Sequence, residues 1–128
     1  MAGNRNSGLC MHASSGGGAG AWVTQEVCNQ NEPGQWWSYT FVNGNVVMYN
    51  MLGNCLDAHN GANPGTVIVW GCHGGQSQQF FDGRNGILSV PSGQAVEPPG
   101  LSKQPGTQLI MWWANGTLNQ QWWRMSAE

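Results

Sequence analysis

Charged side chains are scarce in this chain. Its 128 residues include four Lys or Arg and six Asp or Glu, which gives a formal net charge of −2. Binding to nucleic acid or to an anionic membrane surface usually requires a basic patch, so the composition argues against both partners. No apolar run approaches the roughly 18 residues that cross a bilayer, so we expect no membrane insertion. Nothing at the start resembles a signal peptide, which predicts either a leader that has been removed or a protein kept in the cytosol.

Helical periodicity is also weak, and the chain is rich in glycine, with 20 residues, and in tryptophan, with eight. Short apolar or alternating runs between turn residues predict strands. The clearest hairpin joins 38–42 to 46–49 through Asn43-Gly44, which accepts the positive φ angles of a type I′ turn. A second hairpin joins 80–81 to 87–90. Gly- or Pro-rich segments predict surface connections at 14–20, 60–65 and 97–106. The sequence therefore predicts one all-β domain over residues 1–128.

A motif of Gln, any residue and an aromatic residue occurs three times, at intervals of 43 and 42 residues. Its copies are Gln35/Trp37, Gln78/Phe80 and Gln120/Trp122. Regular periods of this length indicate a repeat architecture. The predicted repeats comprise approximately residues 4–50, 51–92 and 93–128. Because adjacent residues of a strand point to opposite faces, we expect Trp37, Phe80 and Trp122 to face a shared core.

The four cysteines permit three disulfide pairings. Cys10 and Cys28 lie 18 residues apart, and Cys55 and Cys72 lie 17 apart. The matching positions of the third repeat are Ala95 and Ala114. Loss of both members together is expected of a bonded pair, so we predict disulfides Cys10–Cys28 and Cys55–Cys72. The alternative is a zinc site, but these spacings lack the short Cys-x-x-Cys of structural zinc sites. We expect no metal or other cofactor, and a secreted or extracellular protein because disulfides persist in oxidising compartments.

The three repeats share a Cys-Leu-Asp-like segment, a Trp-x-Cys segment and a closing Gln-x-Trp. In this respect they resemble the ricin B-type lectins and carbohydrate-binding module family 13, most closely in the stretch 69–80, VWGCHGGQSQQF. The resemblance covers nearly the whole chain. It implies a β-trefoil, which is a six-stranded barrel capped by three hairpins with pseudo-threefold symmetry. It also implies non-catalytic binding of glycans, with galactose- or xylose-type sugars held in shallow sites.

The resemblance places the best candidate site in repeat two. There Asp57 would accept hydrogen bonds from sugar hydroxyls, since a carboxylate forms charge-assisted hydrogen bonds. Trp70 would stack on the sugar ring, because an indole offers a flat apolar surface. His73 would contact the ligand from the side, and Ser77 and Gln78 would complete the polar rim. The alternatives without a ligand are that Asp57 caps a turn, that Trp70 belongs to the core, and that His73 is an ordinary surface residue.

Repeat three has the second candidate site by the same resemblance. Glu97 stands at the acid position, Trp112 at the stacking position, and Asn115, Asn119 and Gln120 at the polar positions. The alternative for Trp112 is a place in the core. The alternative for Gln120, as for its counterpart in repeat two, is a hydrogen bond to the backbone of its own repeat.

Repeat one carries His12 at the acid position and Glu26 at the stacking position, so we expect no ordinary sugar site there. The acids of repeats two and three belong to different repeats, and a glycosidase needs two carboxylates close together. We therefore expect no enzyme activity. The chain is expected either to act alone or to derive from a larger enzyme or toxin. Besides glycans, its expected partners are a further domain or a second copy of the chain. The alternative function is a protein-interaction β-trefoil such as a protease inhibitor, which would use the loop Glu97-Pro98-Pro99-Gly100.

Overall fold

The structure is a computed structural model that describes residues 1–14, 18–59, 65–83 and 85–124. The strands among these residues are β1 (Ala2–Asn4), β2 (Cys10–Ala13), β3 (Val23–Glu26), β4 (Trp37–Val42), β5 (Asn45–Asn50), β6 (Asn54–His59), β7 (Gly65–Gly71), β8 (Phe80–Gly83), β9 (Gly86–Ser89), β10 (Ala95–Glu97), β11 (Thr107–Gln108), β12 (Ile110–Trp112) and β13 (Trp122–Arg124). Short 3₁₀ helices lie at Pro33–Gln35, Gln76–Gln78, Pro99–Leu101 and Leu118–Gln120. Within the described ranges, no helix has the length and apolarity needed to cross a membrane.

Three strand pairs build the barrel. Strands β4 and β5 form one hairpin, β8 and β9 form the second, and the terminal strands β1 and β13 pair in the same antiparallel way. Strand β5 also pairs with β8, which joins two of the pairs. Both predicted hairpins are confirmed. At the tip of the first, Asn43 and Gly44 have φ angles of 53° and 80°, which is the left-handed region that a type I′ turn requires.

Three further hairpins cap the barrel: β2–β3, β6–β7 and β10–β12. Each cap hairpin pairs with the next around the pseudo-threefold axis. The equivalent residue pairs are Trp22 with Ile68, Thr66 with Ile110, and Gln108 with Thr24. Six barrel strands and three cap hairpins in threefold arrangement confirm the β-trefoil that the sequence resemblance implies.

The aromatic residue that closes each repeat lies in the core. Trp37, Phe80 and Trp122 are all buried, which confirms the predicted inward set. The two indoles also find acceptors, because Nε1 of Trp37 donates to the Met11 carbonyl at 3.2 Å and Nε1 of Trp122 donates to the Val96 carbonyl at 3.1 Å. Buried indoles usually require such a partner, so in repeats one and three the core aromatic also fixes the cap strand of its own repeat.

Both predicted disulfides are present. Cys10 is bonded to Cys28 and Cys55 to Cys72, with Cα–Cα distances of 5.0 and 5.1 Å. Each bond joins the first strand of a cap hairpin to a cysteine within two residues of the end of the second strand. The cap hairpin of repeat three has the same strand pairing with alanine at both positions.

The predicted surface connections agree with the structure only in part. Residues 15–17 and 60–64 lie outside the described residues. Residues 97–106 do not form a simple surface loop, because Glu97 belongs to β10 and is buried together with Pro98. The reason is the pairing of β10 with β12, which draws the start of this segment into the cap.

Candidate functional site

The register of the cap hairpins brings equivalent residues together in each repeat. The residue at the predicted stacking position lies opposite the first cysteine or its alanine replacement. These pairs are Cys10 with Glu26, Cys55 with Trp70, and Ala95 with Trp112. The residue at the acid position lies two places after that cysteine or alanine, on the same strand and on the same face of it. The sequence alignment of the three repeats therefore corresponds to one geometry on three cap hairpins.

A groove of about 740 Å³ lies on the cap hairpin of repeat two. Among the predicted site residues, Asp57, Trp70, His73 and Ser77 line it. Gln78 is fully buried and forms hydrogen bonds beneath it. The structure thus brings the five residues proposed for repeat two to one place.

Asp57 is the buried carboxylate of this groove, with 5% of its surface exposed. Its Oδ2 accepts a hydrogen bond from Nε2 of Gln78 at 3.1 Å. Nε2 of His73 lies 3.9 Å from the same oxygen, and Nδ1 of His73 accepts a hydrogen bond from the Gly75 amide at 2.8 Å. Among the described residues no donor reaches Oδ1 of Asp57. One oxygen is therefore held in place by the protein while the other can accept a ligand hydroxyl.

Gln78 links the acid to the backbone. Its Nε2 also donates to the Gly71 carbonyl at 3.0 Å, and its Oε1 accepts from the His73 amide at 3.0 Å. These bonds close the loop between Cys72 and the 3₁₀ helix, as expected for a buried polar side chain. Gln78 supports the groove through the acid and the backbone, and it does not line it.

Trp70 and Trp112 lie outside the core. Their exposed fractions are 49% and 38%, so packing does not account for these two indoles. Trp113, the next residue along, is 61% exposed and does not line either groove described here. The core alternative for the two predicted stacking residues is therefore wrong.

Repeat three has a smaller groove of about 320 Å³, lined in part by Glu97 and Trp112. Nε2 of Gln120 donates to Oε1 of Glu97 at 2.7 Å and to the Trp113 carbonyl at 2.8 Å. Burial raises the pKa of Glu97, while hydrogen bonds from Gln120 and Asn119 oppose that rise. The acid and the indole of repeat three are therefore arranged as in repeat two, with a longer acid side chain.

The two asparagines proposed for repeat three support this groove from outside its lining. Asn119 is buried, donates to the Pro98 carbonyl at 3.4 Å, and accepts from the hydroxyl of Thr117. Asn115 is exposed, and its Oδ1 accepts from the Thr117 amide at 3.0 Å. Their side-chain oxygens are thus already engaged within the loop.

Repeat one differs from the other two. His12 stands at the acid position, and its buried Nδ1 has no hydrogen-bond partner among the described residues. Glu26 stands at the stacking position and accepts a hydrogen bond from Thr24 at 2.8 Å. A hydrogen-bonded acidic side chain therefore stands where the other two repeats have a flat apolar surface, and the lack of an ordinary sugar site in repeat one stays a prediction.

The groove of repeat two contains residues that the sequence analysis missed. These are Gly20, Trp22, His59, Thr66, Ile68 and Gln108. Trp22 comes from repeat one and Gln108 from repeat three. An isoleucine two places before Trp70 and before Trp112 was visible in the sequence. The contribution of neighbouring repeats was not, because it depends on pairing between cap hairpins. Among the residues that the structure describes, no three His, Cys, Asp or Glu side chains form a group that could hold a metal ion.

The chain is similar to known proteins over most of its length. Residues 2–122 match the family model of the ricin-type beta-trefoil lectin domain. The chain is 24% identical to the ribosome-inactivating protein PMRIPt of Polygonatum multiflorum over 117 residues. This matched stretch is 91% of the chain. It spans only 19% of the length of that curated relative.

Solved structures are also similar over 94% of this chain, and two of them are at least 25% identical to it in sequence. The designed threefold-symmetric protein ThreeFoil has a TM-score of 0.85 and 25% identity, with 93% of its chain covered. An exo-β-1,3-galactanase from Clostridium thermocellum has a TM-score of 0.83 and 26% identity, with 28% of its chain covered. With its family match over nearly the whole length and its three repeats in register, this chain belongs to the ricin-type β-trefoil lectin domains, a family of non-catalytic carbohydrate-binding modules.

Proposed function

We propose that this chain binds galactose- or xylose-type sugars through an acid and an indole on the cap hairpins of repeats two and three. The observation that carries the proposal is the position of Asp57. It is buried, its Oδ2 is held by Gln78, and it shares a groove with the half-exposed Trp70. A carboxylate fixed in this way needs no reorganisation when a ligand binds.

The chemistry of the groove suits a sugar better than a charged or wholly apolar ligand. The free oxygen of Asp57 can accept a charge-assisted hydrogen bond from a hydroxyl. Trp70 offers its flat face to the C–H side of a pyranose ring, and the hydroxyl of Ser77 and the ring of His73 border the same space. One apolar wall beside several polar groups matches the two faces of a sugar ring.

Repeat three is the second proposed site. Glu97 accepts from Gln120 as Asp57 accepts from Gln78, and Trp112 lines the groove beside it. The smaller volume of this groove and the extra methylene of Glu97 favour a weaker site. Two sites on one molecule would gain avidity on a polysaccharide or a glycan-coated surface.

The galactanase among the similar structures acts on a galactan, so galactosides are the first class to test, with xylo- and arabino-oligosaccharides beside them. The two disulfides favour action in an oxidising compartment, which fits a glycan ligand outside the cytosol.

A glycan array tests the proposal with wild-type protein and the Asp57→Ala variant side by side. We expect the wild type to bind a galactoside, N-acetylgalactosamine or a xylo-oligosaccharide, and the variant to lose at least about tenfold in affinity, or about 1.4 kcal/mol. Asp82→Ala is the matched control, because Asp82 is a carboxylate outside both grooves that pairs with Arg124. Circular dichroism establishes that both variants are folded.

Two results would contradict the proposal. One is a folded wild type that binds no glycan on the array. The other is equal binding by the wild type and Asp57→Ala. In the first case a protease-inhibition assay follows, since the alternative function uses the loop Glu97-Pro98-Pro99-Gly100 and should not respond to Asp57→Ala.

A further inference from the structure

The groove of repeat two extends beyond the proposed sugar site. Past Trp70 it continues to Trp22, which is 59% exposed. Ile68 lies two residues before Trp70 on β7, pairs directly with Trp22, and is almost fully buried. The groove therefore presents two exposed indoles beside a buried apolar residue.

Backbone hydrogen bonds fix where Trp22 lies. The amide of Gly20 donates to the Val69 carbonyl at 2.7 Å, and the amide of Val69 donates to the Ala21 carbonyl at 3.0 Å. Trp22 forms a β-bridge with Ile68. Residues 20–22 thus continue the cap sheet as an antiparallel neighbour of β7. Gly20 has a φ angle of 88°, a conformation that disfavours a side chain directly beside Trp70.

This pairing creates a row of side chains on one face of the sheet. Asp57 on β6 lies opposite Ile68 on β7, and Ile68 lies opposite Trp22. Trp70 lies on the same face as Ile68, because residues two apart in a strand point the same way. Trp70 is therefore a diagonal neighbour of both Asp57 and Trp22.

The spacing exceeds the reach of one sugar. Adjacent strands are about 4.8 Å apart, so the backbones of Asp57 and Trp22 are separated by about 10 Å. Diagonal neighbours such as Trp70 and Trp22 lie roughly 7–8 Å apart. A single pyranose ring that stacks on Trp70 and hydrogen-bonds to Asp57 does not also cover Trp22. A second ring joined through one glycosidic bond can reach it.

Trp22 also breaks the threefold pattern in a way that packing does not explain. Its equivalents in the other repeats are Thr66 and Gln108, as the pairing between cap hairpins shows. Thr66 and Gln108 are polar and smaller than tryptophan, and both line the groove of repeat two. Trp22 therefore adds an exposed indole where neither of the other two repeats has one.

We propose that the groove of repeat two takes a glycan chain of at least two pyranose residues, with Trp22 stacking on the unit next to the one held by Asp57 and Trp70. This inference rests on the proposed function of the same groove. It adds a second subsite that repeat one contributes to repeat two, and it predicts that affinity depends on chain length.

Calorimetric titration with a length series tests the proposal. The probes are galactose, xylose and their β-linked oligosaccharides of two to four units. We expect the affinity of the wild type to rise about tenfold from the monosaccharide to the disaccharide or trisaccharide. In Trp22→Ala this rise disappears, so that the affinities for the monosaccharide and for its oligosaccharides become equal. Trp113→Ala is the matched control, because Trp113 is an exposed indole outside the groove.

A spectroscopic readout accompanies the titration. The indole N–H signal of Trp22 is identified in ¹H–¹⁵N spectra by its absence in Trp22→Ala. We expect it to shift with the disaccharide and to stay in place with the monosaccharide.

The outcomes separate this inference from the proposed function. A length gain that persists in Trp22→Ala, or a wild-type affinity that is the same for all lengths, overturns the second subsite while the sugar site at Asp57 stands. Absence of binding to every member of the series overturns both.

Discussion

The glutamine of the repeated motif has the same structural task in each repeat. In repeat one, Nε2 of Gln35 donates to the Val27 carbonyl at 3.0 Å and Oε1 accepts from the Asn29 amide at 2.8 Å. Gln78 and Gln120 form the equivalent pair of bonds in their own repeats. Only these two also donate to an acid. The motif therefore closes a loop in every repeat, and where an acid is present it also positions a candidate ligand contact.

Comparison of Gln78→Ala with Gln35→Ala separates these two tasks. Each variant removes two hydrogen bonds to partly buried backbone groups, so we expect the free energy of unfolding to fall by about 1–3 kcal/mol in both. Only Gln78→Ala should weaken sugar binding, because only Gln78 holds Asp57. Urea denaturation gives the stabilities, and titration at a temperature where both variants are folded gives the affinities.

The result against this division of tasks would be an equal loss of affinity in the two variants. Such a result would mean that the glutamine affects binding through general loosening of the cap. Unchanged affinity in Gln78→Ala would mean that the carboxylate needs no support.

At the scale of the elements, the sequence predicts what depends on neighbours along the chain. The hairpin at Asn43-Gly44 follows from turn chemistry, and the disulfides follow from positions that vary together. Trp22 could not be assigned in this way, because its role depends on a β-bridge to Ile68 in another repeat. A pattern within one repeat carries no information on that contact.

Polar positions near the motif show a second limit of sequence comparison. Asn119 aligns with a ligand-contact position of the family, yet its side chain is buried against Pro98 and Thr117. At the matching place of repeat two, Ser77 does line the groove. The residue type at such a position does not reveal whether its side chain is engaged by the protein or free for a ligand.

The disulfide of the repeat-two cap hairpin should support both stability and binding. Replacing Cys55 and Cys72 together by alanine reproduces the pair found naturally in repeat three. We expect a folded protein whose free energy of unfolding is lower by about 3 kcal/mol, since the bond closes a loop of 17 residues. Sugar affinity should also fall, because the bond closes the hairpin that carries the acid and the indole. Guanidinium denaturation and titration measure the two effects.

The joint replacement of Cys10 and Cys28 is the control for this change. Its bond closes a loop of 18 residues in repeat one, so the loss of stability should be similar. Monosaccharide affinity should be retained, because the acid and indole of repeat two lie on another hairpin. Loss of monosaccharide binding in both double variants would show that the caps are not independent.

At the scale of the whole molecule, the barrel depends on a pair of strands from the two ends of the chain. Gly3 on β1 lies opposite Trp123 on β13, and the equivalent pair in the first hairpin is Tyr49 opposite Ser38. The indole of Trp123 occupies the space that a side chain at Gly3 would need. In the terminal pair the large residue is on β13, whereas in the first hairpin it is on β5, the strand equivalent to β1.

This exchange predicts a rescue between the two ends of the chain. Gly3→Tyr should lower the free energy of unfolding by about 1–3 kcal/mol through overpacking against the indole. Combining it with Trp123→Ser recreates the pair Tyr49–Ser38, so the double variant should be more stable than the sum of the single changes by about 0.5–3 kcal/mol. Gly71→Ala, with no atom within 4 Å of its added Cβ, should have little effect. Urea denaturation of the wild type, Gly3→Tyr, Trp123→Ser and the double variant measures the coupling. Strictly additive effects would show that the terminal strands do not reproduce the packing of the first hairpin.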